Sequence, residues 1–327
     1  MRIDVTAPGK LVLSGEYAVL HGAPAVCMAV DRRARVTIED SDEDHHTVSA
    51  PGFSEATGRF RAANGSFEWL NGGDDYDLFR NVWQMAGVQP TRPRAITLDT
   101  HEFFHRRSGV KIGVGSSAAL ASALAKALTP PGEDALRVAF DAHRQFQSGV
   151  GSGADVACSI AGGLIEYTMN GTLIDSLQWP TGLHFAVVWV GEPASTRERL
   201  IRLGKQSKRV SGAALVMASR RMARAWRSAV ARDILLEYAD YIGVLREFSV
   251  DHDLGIFDAG HDKLTDAAVE MGVVYKPCGA GSGDVGIVLA DEAAAVEEFV
   301  GLAEARNARP VNINLDTDGV QMDRESS

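Results

Sequence analysis

Through the first third of the chain, apolar residues alternate with polar ones or stand in short runs, and this two-residue period predicts strands rather than helices. Residues 3–5, 10–13 and 26–30 read as strands punctuated by Pro8-Gly9, Gly15 and His21-Gly22, and residues 35–38 continue the sheet. Residues 39–46 are too polar for a core and predict an exposed hairpin tip. The His45-His46 pair there reads as part of a solvated loop, although two adjacent imidazoles could also bind metal. Residues 64–76 give no signal beyond a loop-rich connection. A helical period follows over 76–86, a strand over 95–98, and an alanine-rich helix of strong helix formers over 120–128. Pro130-Pro131-Gly132 breaks it before a further helix over 133–147. Residues 149–155 make a glycine-rich turn, 156–161 begin a helix, and 162–167 return as a strand.

Asn170-Gly171 and Trp179-Pro180-Thr181-Gly182 interrupt the pattern, and a boundary near residue 178 divides the chain into domains 1–178 and 179–327. The second opens with an apolar strand over 183–190, followed by long helical stretches between 207 and 248 and a helix over 260–271. Strands at 273–276 and 285–289, a helix over 293–305 and a strand over 310–315 complete it. Strand, helices, strand, strand, helix, strand predicts an α+β sandwich of ferredoxin-like order.

Composition narrows the function classes. A formal net charge of −10 argues against a nucleic-acid or membrane-surface protein, both of which favour a basic surface. It leaves room for an anionic small molecule, which needs only a local basic pocket. Cys27, Cys158 and Cys278 stand far apart with neither zinc spacing nor a disulfide framework, so a reducing, cytoplasmic setting is expected. The first residues lack the apolar segment of a signal peptide, and no run approaches the roughly 18 apolar residues of a spanning helix.

Three segments carry candidate chemistry. Residues 113–119 (Gly-Val-Gly-Ser-Ser-Ala-Ala) run straight into the alanine-rich helix. The glycines admit close backbone approach, and a helix opening there presents unpaired N–H groups and a positive dipole end to an anion. This is no Walker A loop, since no Gly-Lys-Ser/Thr follows, and no dinucleotide fingerprint, since the third glycine is missing. Glycines before a helix also occur for structural reasons. Residues 278–284 (Cys-Gly-Ala-Gly-Ser-Gly-Asp) could line an anion-binding concavity or form a flexible loop. The third segment, 7–19, carries Lys10 among glycines and apolar residues, which favours a pocket-facing ammonium over an edge-strand charge.

Taken in order and spacing, these segments resemble the three signature motifs of the GHMP kinase superfamily, from Ala7 to Leu289. The likeness leans to the phosphomevalonate kinase branch. It rests on Ala7-Pro-Gly-Lys-Leu, on Gly15-Glu-Tyr-Ala-Val19 with a tyrosine where mevalonate kinases usually carry histidine, and on Lys111-Ile-Gly-Val-Gly-Ser-Ser117. Gly151-Ser-Gly-Ala-Asp-Val156 and Lys276-Pro-Cys-Gly-Ala-Gly-Ser-Gly-Asp284 add to it. The resemblance implies an α+β fold of two domains: an N-terminal βαβ-rich, ATP-binding domain, a C-terminal ferredoxin-like α/β sandwich, and a ligand cleft between them. It implies ATP and Mg²⁺ as cofactors and a phosphorylated hydroxy acid as substrate, with no nucleic-acid or membrane partner and a homodimer left open.

The resemblance also distributes roles. Gly113, Val114, Gly115, Ser116, Ser117 and Ala118 would wrap the ATP phosphates, Ser116 or Ser117, with Ser117 preferred, would offer a hydroxyl to Mg²⁺, and Lys111 would be a second cation there. A helix terminus contributes only about 0.3–2 kcal/mol per charge, so a metal and lysines are needed to balance a triphosphate. Asp155 would be the base beside the acceptor, kept ionised by Lys10. Read without the resemblance, Asp155 is better taken as a cap of the helix after Gly153. Glu16, Tyr17, Ser152, Gly153, Gly279, Ala280, Gly281 and Ser282 would form the substrate wall. Ser195 and Thr196 resemble a Ser-Thr pair of the same branch and open a run, 195–209, holding six Lys/Arg against one acid, which could clamp an anion or be a solvated helix face. One departure stands out: mevalonate kinases carry a glutamate metal ligand about eleven residues before the catalytic aspartate. Here that region reads His143-Arg144-Gln145, with His143 expected to pack on its helix. The implied reaction is phosphorylation of 5-phosphomevalonate. Alternatives are a mevalonate kinase-type enzyme, a decarboxylase of the same fold, or a non-catalytic ligand sensor.

Overall fold

The computed structural model describes residues 1–63, 65–169, 173–191 and 210–325. Strands β1 (Arg2–Ser14) and β2 (Ala25–Asp40) pair antiparallel over nearly their whole length, with Ile3 opposite Ile38 and Val5 opposite Val36. The breaks expected at Pro8-Gly9 and between residues 30 and 35 do not occur. A register shift between Pro8 and Gly9 absorbs the missing proline N–H within one continuous strand. Gly9 is small for another reason: a Cβ there would lie 2.4 Å from the Val114 carbonyl oxygen and 2.8 Å from the Phe103 ring.

The first sheet runs β13-β1-β2-β6-β3-β4-β5, with β7 paired to β2 and β8 to β7. Its further strands are β3 (His46–Ser49), β4 (Gly58–Ala63), β5 (Ser66–Asn71), β6 (Arg94–Asp99), β7 (Leu164–Thr168), β8 (Leu173–Leu177) and β13 (Gln321–Glu325). Because β6 lies between β2 and β3, residues 41–45 are a crossover and not the expected hairpin tip. His46 is also not in a solvated loop. It is buried against Phe60 and Trp83, its Nδ1 accepts the Arg94 N–H at 3.0 Å, and burial pushes its pKa down to about 4. Within the segment expected to be all loop, β5 packs Phe67 and Trp69 on Phe60.

Helices α1 (Asp77–Met85), α2 (Ser116–Leu128), α3 (Ala135–Phe146) and α4 (Ala154–Ala161) share a core with this sheet, joining Val5, Val36 and Ile38 to Phe79, Leu124, Ala139 and Val156. The alanines of α2 are buried on nearly every side, and their small side chains let that helix lie close to β1 and among α1, α3 and α4. The start of α2 is therefore held rigidly in the middle of the fold.

The second sheet has the order β10-β11-β9-β12, all antiparallel, built from β9 (His184–Trp189), β10 (Val274–Pro277), β11 (Val285–Ala290) and β12 (Arg309–Val311). Numbered along the chain this is the ferredoxin-like 4-1-3-2 arrangement, with α7 (His261–Met271) and α8 (Ala293–Ala305) sharing its second core. Helices α5 (Val210–Ser228) and α6 (Ala231–Asp251) join the two sheets. Trp226, Tyr238, Tyr241 and Leu245 share one core with Leu13 and Met28 of the first sheet and with Val187 and Ile287 of the second. The Arg227 guanidinium holds the Glu166 carboxylate through two hydrogen bonds. The chain then returns to the first sheet. The strand expected over 310–315 ends at Val311, Leu315 bridges to Val30, and β13 pairs with β1. Arg33 fastens this return through Asp316 and the Gly319 carbonyl. Among the described residues no helix is long and apolar enough to cross a membrane.

Candidate active site

Strand β1 and the segment after it, the turn into α4 and the second glycine cluster enclose a small cavity of about 100 Å³, walled by Lys10, Tyr17, Ser152, Asp155, Gly279 and Ala280. Segments far apart in the chain converge on it, and each is shaped by its backbone.

The loop before α2 is held to β1 by the Lys10 N–H, which donates to the Val114 carbonyl at 2.8 Å. Gly115 caps α2 in the left-handed region (φ 87°) with no side-chain cap, so the first-turn N–H groups of Ser116, Ser117 and Ala118 are offered to a ligand. Gly113 is also left-handed (φ 93°), and a Cβ on it would lie 2.1 Å from the Asp284 carboxyl carbon. The second glycine cluster thus places a carboxylate in the space left by Gly113. Gly113→Ala is expected to cost about 1–2 kcal/mol from the backbone alone, read as a lower denaturant midpoint, and to weaken nucleotide binding. Unchanged stability would show that neither the left-handed backbone at Gly113 nor the contact with Asp284 carries a cost.

Burial pushes the Lys111 pKa down. The Asp284 carboxylate opposes that shift and the Lys10 ammonium adds to it. Lys10 reaches under the loop, its Cε 3.0 Å from where a Gly115 Cβ would stand, and its Nζ lies 3.9 Å from the corresponding point on Gly279. The loop before α2, the second glycine cluster and β1 therefore bring two lysines and one aspartate together.

Asp155 lies in the first turn of α4, whose cap is Gly153 (φ 84°). It does not cap the helix as the alternative reading allowed. Its Oδ1 accepts the adjacent Val156 N–H at 3.1 Å, and the residue lines the cavity with Lys10. Ser152 stands half-buried beside it, with its carbonyl held by the Tyr167 hydroxyl at 2.7 Å, and a Cβ on Gly153 would strike the Phe140 ring at 2.2 Å. His143 does more than pack on its helix. Its buried ring lies 3.1 Å from the Ser117 hydroxyl through Nε2 and 3.9 Å from Asp155 Oδ2 through Nδ1. Burial pushes its pKa down, opposed by Asp155.

On the side of the cavity away from α4, Tyr17 sits in the left-handed region (φ 59°), a strained conformation for a bulky residue, and its hydroxyl donates to the Ala280 carbonyl at 2.8 Å. Glu16 is buried and belongs to the lining of the same cavity. Its carboxylate is engaged by the buried Lys276 ammonium and by the Tyr241 hydroxyl at 2.5 Å, and Tyr241 in turn accepts the Gly15 N–H at 2.8 Å. Gly279 and Ala280 reach the cavity, whereas Gly281 and Ser282 fold against Ile256, the Ser282 N–H donating to the Ile256 carbonyl at 2.8 Å. His261, which sequence reasoning missed, anchors this loop. Burial pushes its pKa down to about 4, and its ring bridges the Gly283 carbonyl and the Tyr275 hydroxyl, each at 2.9 Å. Ser195, Thr196 and the basic run 195–209 lie outside the described residues.

Beside the loop before α2 lies a second cavity of about 230 Å³, with Phe53, Tyr76, Phe79 and Phe104 along it and Lys111 and Ser117 among its lining. Aromatic walls leading to a cationic, N–H-rich end suit a flat base joined to phosphates.

The sequence description of the GHMP kinase N-terminal domain matches residues 95–163. The phosphomevalonate kinase of Streptomyces sp. (strain CL190) is 30% identical over 347 residues, covering 87% of this chain and 89% of that protein. The mevalonate kinase of Methanothermobacter thermautotrophicus is 32% identical over 174 residues, half of each chain. The phosphomevalonate kinase of Streptococcus pneumoniae, solved with phosphomevalonate and AMPPNP, superimposes with a TM-score of 0.78 over 95% of this chain and 99% of that one, at 20% identity. With a relative of that identity matched along nearly its whole length, the chain belongs to the GHMP kinase family of phosphotransferases.

Proposed function

We propose that the chain transfers the γ-phosphoryl group of ATP to 5-phosphomevalonate, forming 5-diphosphomevalonate and ADP. The observation that carries this reading is the near full-length match to a phosphomevalonate kinase, joined to a cavity in which Tyr17 closes onto the second glycine cluster. The base of ATP would lie in the aromatic cavity, and the N–H groups of Ser116, Ser117 and Ala118 would receive the phosphates, with Lys111 beside them. The acceptor oxygen attacks the γ-phosphorus, the bond to the bridging oxygen breaks, and ADP leaves with that electron pair. A proton still on the acceptor passes to Asp155. Lys10 stands at the same cavity and stabilises the charge that develops.

Among the described residues no group of three or more His, Cys, Asp or Glu could hold a metal ion alone. That suits Mg²⁺, which keeps several waters and reaches protein through one or two oxygen ligands plus substrate phosphates. Ser117 would hold it, and the ion would supply charge neutralisation on the phosphates. A cytoplasmic location belongs to the same proposal, consistent with Cys27, Cys158 and Cys278 all being free.

A second reading, phosphorylation of mevalonate itself, is favoured by the mevalonate kinase relatives. Coupled ADP release across mevalonate, its 5-phosphate, its 3-phosphate and its 5-diphosphate separates the two. The expected result is a kcat/KM for the 5-phosphate about 10²-fold or more above that for mevalonate, because a site built around a phosphate is left with unpaired groups by an acceptor lacking it. Preference for mevalonate would replace the first reading with the second. Carbon dioxide release from the 5-diphosphate would indicate the decarboxylase. ATP binding without ADP release on any acceptor would remove the protein from this set of reactions.

A further inference from the structure

One face of α6 meets the segment that leads from β1 into the acceptor cavity. Tyr238, Tyr241, Leu245 and Phe248 recur three and four residues apart along that helix, and all are buried. Two groups of opposite kind meet the Tyr241 hydroxyl: the Gly15 N–H at 2.8 Å and Glu16 Oε2 at 2.5 Å. An amide N–H only donates, and the Glu16 carboxylate, engaged by the Lys276 ammonium, only accepts, so the direction of both bonds is fixed. Burial, and then the Glu16 charge, push the Tyr241 pKa up, which keeps its proton in place. Gly15 is left-handed (φ 91°), and a Cβ on it would lie 2.5 Å from the Pro24 carbonyl oxygen. Two residues on, Tyr17 stands at φ 59°, ψ −39°, a conformation that a bulky residue keeps only where its surroundings fix it. Its ring leans on Phe248 of the same helix face, centroids 5.7 Å apart, and its hydroxyl reaches the Ala280 carbonyl.

We propose that Tyr241 is a positioning residue of the acceptor site: its one hydroxyl, accepting from Gly15 and donating to Glu16, sets the turn that carries the Tyr17 hydroxyl onto Ala280. Gly15, Glu16, Tyr17 and Ala280 all line the cavity, so a shift of this turn moves one wall relative to Lys10 and Asp155. Among the described residues, the lining of the aromatic cavity includes none of these, so the effect falls on the acceptor and spares the nucleotide. The inference rests on the reading of the smaller cavity as the acceptor site, and it holds whichever acceptor the enzyme uses.

The test pairs steady-state kinetics of ADP release, on 5-phosphomevalonate and on mevalonate, with calorimetric binding of AMPPNP. Tyr241→Phe keeps the ring and removes the hydroxyl. It is expected to lower kcat/KM for the acceptor by about 10- to 10²-fold, mostly through KM, while AMPPNP affinity stays within about twofold, the pattern of a small misplacement confined to one substrate's wall. Tyr238→Phe removes a hydroxyl from the same buried face, but one that meets β1 at the Leu13 carbonyl (3.0 Å), ahead of the turn, and should leave the acceptor KM as it was. On a Tyr17→Phe background most of the Tyr241→Phe effect should be gone, because the bond it places is already missing. AMPPNP binding weakened as much as acceptor use, an equal rise in acceptor KM in Tyr238→Phe, or the full effect persisting on the Tyr17→Phe background would mean a structural role only and overturn the proposal. So would an acceptor KM equal to that of the parent protein. Should Tyr241→Phe not fold, Phe248→Leu, which withdraws the ring that Tyr17 leans on and leaves no polar group unpaired, is read in its place with the same expected split. If the parent protein turns over neither acceptor, the substrate reading falls and amide hydrogen exchange decides this inference. Faster exchange confined to residues 15–20 in Tyr241→Phe then supports it, and exchange that is unchanged, or faster along the whole chain, overturns it.

Discussion

Asp155→Asn lowers kcat by about 10²- to 10⁴-fold and leaves ATP affinity within a few-fold, if Asp155 takes the acceptor's proton. The substitution keeps the shape of the side chain and the bond to the Val156 N–H can be kept by the amide oxygen, so the turn at Gly153 and the start of α4 should survive. What is lost is a carboxylate beside Lys10 in the cavity. The size of the loss reports on the acceptor. A phosphate monoester has its second pKa near about 6 and is mostly unprotonated at neutral pH, so little proton transfer remains and the loss falls at the low end. A hydroxyl acceptor must surrender its proton during attack, and the loss falls at the high end. Steady-state kinetics with calorimetric ATP binding measures both quantities. Unchanged turnover would refute the base role outright.

The second large effect concerns a residue that touches no ligand. Lys276→Met is expected to destabilise the protein by about 3–5 kcal/mol, because it leaves the Glu16 carboxylate buried without its cation. Lys276 is fully buried on β10, and its ammonium reaches Glu16 and the Val12 carbonyl, 260 or more residues away in sequence. Adding Glu16→Gln removes the orphaned charge while an amide can still engage Tyr241, so the double variant should recover most of the stability. Both substitutions loosen the segment from Gly15 to Tyr17, so KM for the acceptor should rise more than KM for ATP in the double variant. Urea unfolding of the singles and the double gives the coupling directly. A single-variant loss below about 1 kcal/mol would show that solvent reaches the pair after all.

How far the site could be read from the chain depended on the kind of residue involved. Glycine marks close backbone approach wherever it occurs, so the clusters at 113–115 and 279–283 were legible before any contact was known. Gly113 confirms the reason, since the space a side chain would need holds the Asp284 carboxylate. Strand boundaries were less legible: Pro8-Gly9 reads as a break because proline usually ends pairing, yet a register shift carries β1 through it. Strands β5 and β13 gave little signal because edge positions are largely polar. His46, His143 and His261 were illegible for a different reason. A histidine has the same appearance in sequence whether solvated or buried, and only its partners decide which nitrogen carries the proton.

The sequence by itself determined the α+β class, the ferredoxin-like order of the second sheet and the family. Each of these rests on local pattern or on motifs whose residues are neighbours in the chain. Only the tertiary structure decided that Glu16 lines the cavity paired with the buried Lys276, that Tyr17 closes onto Ala280, and that His143 stands between Ser117 and Asp155. Those arrangements depend on burial and on contacts between α3, β10 and loops distant in sequence, and neither periodicity nor spacing carries information about which side chain a buried charge will find.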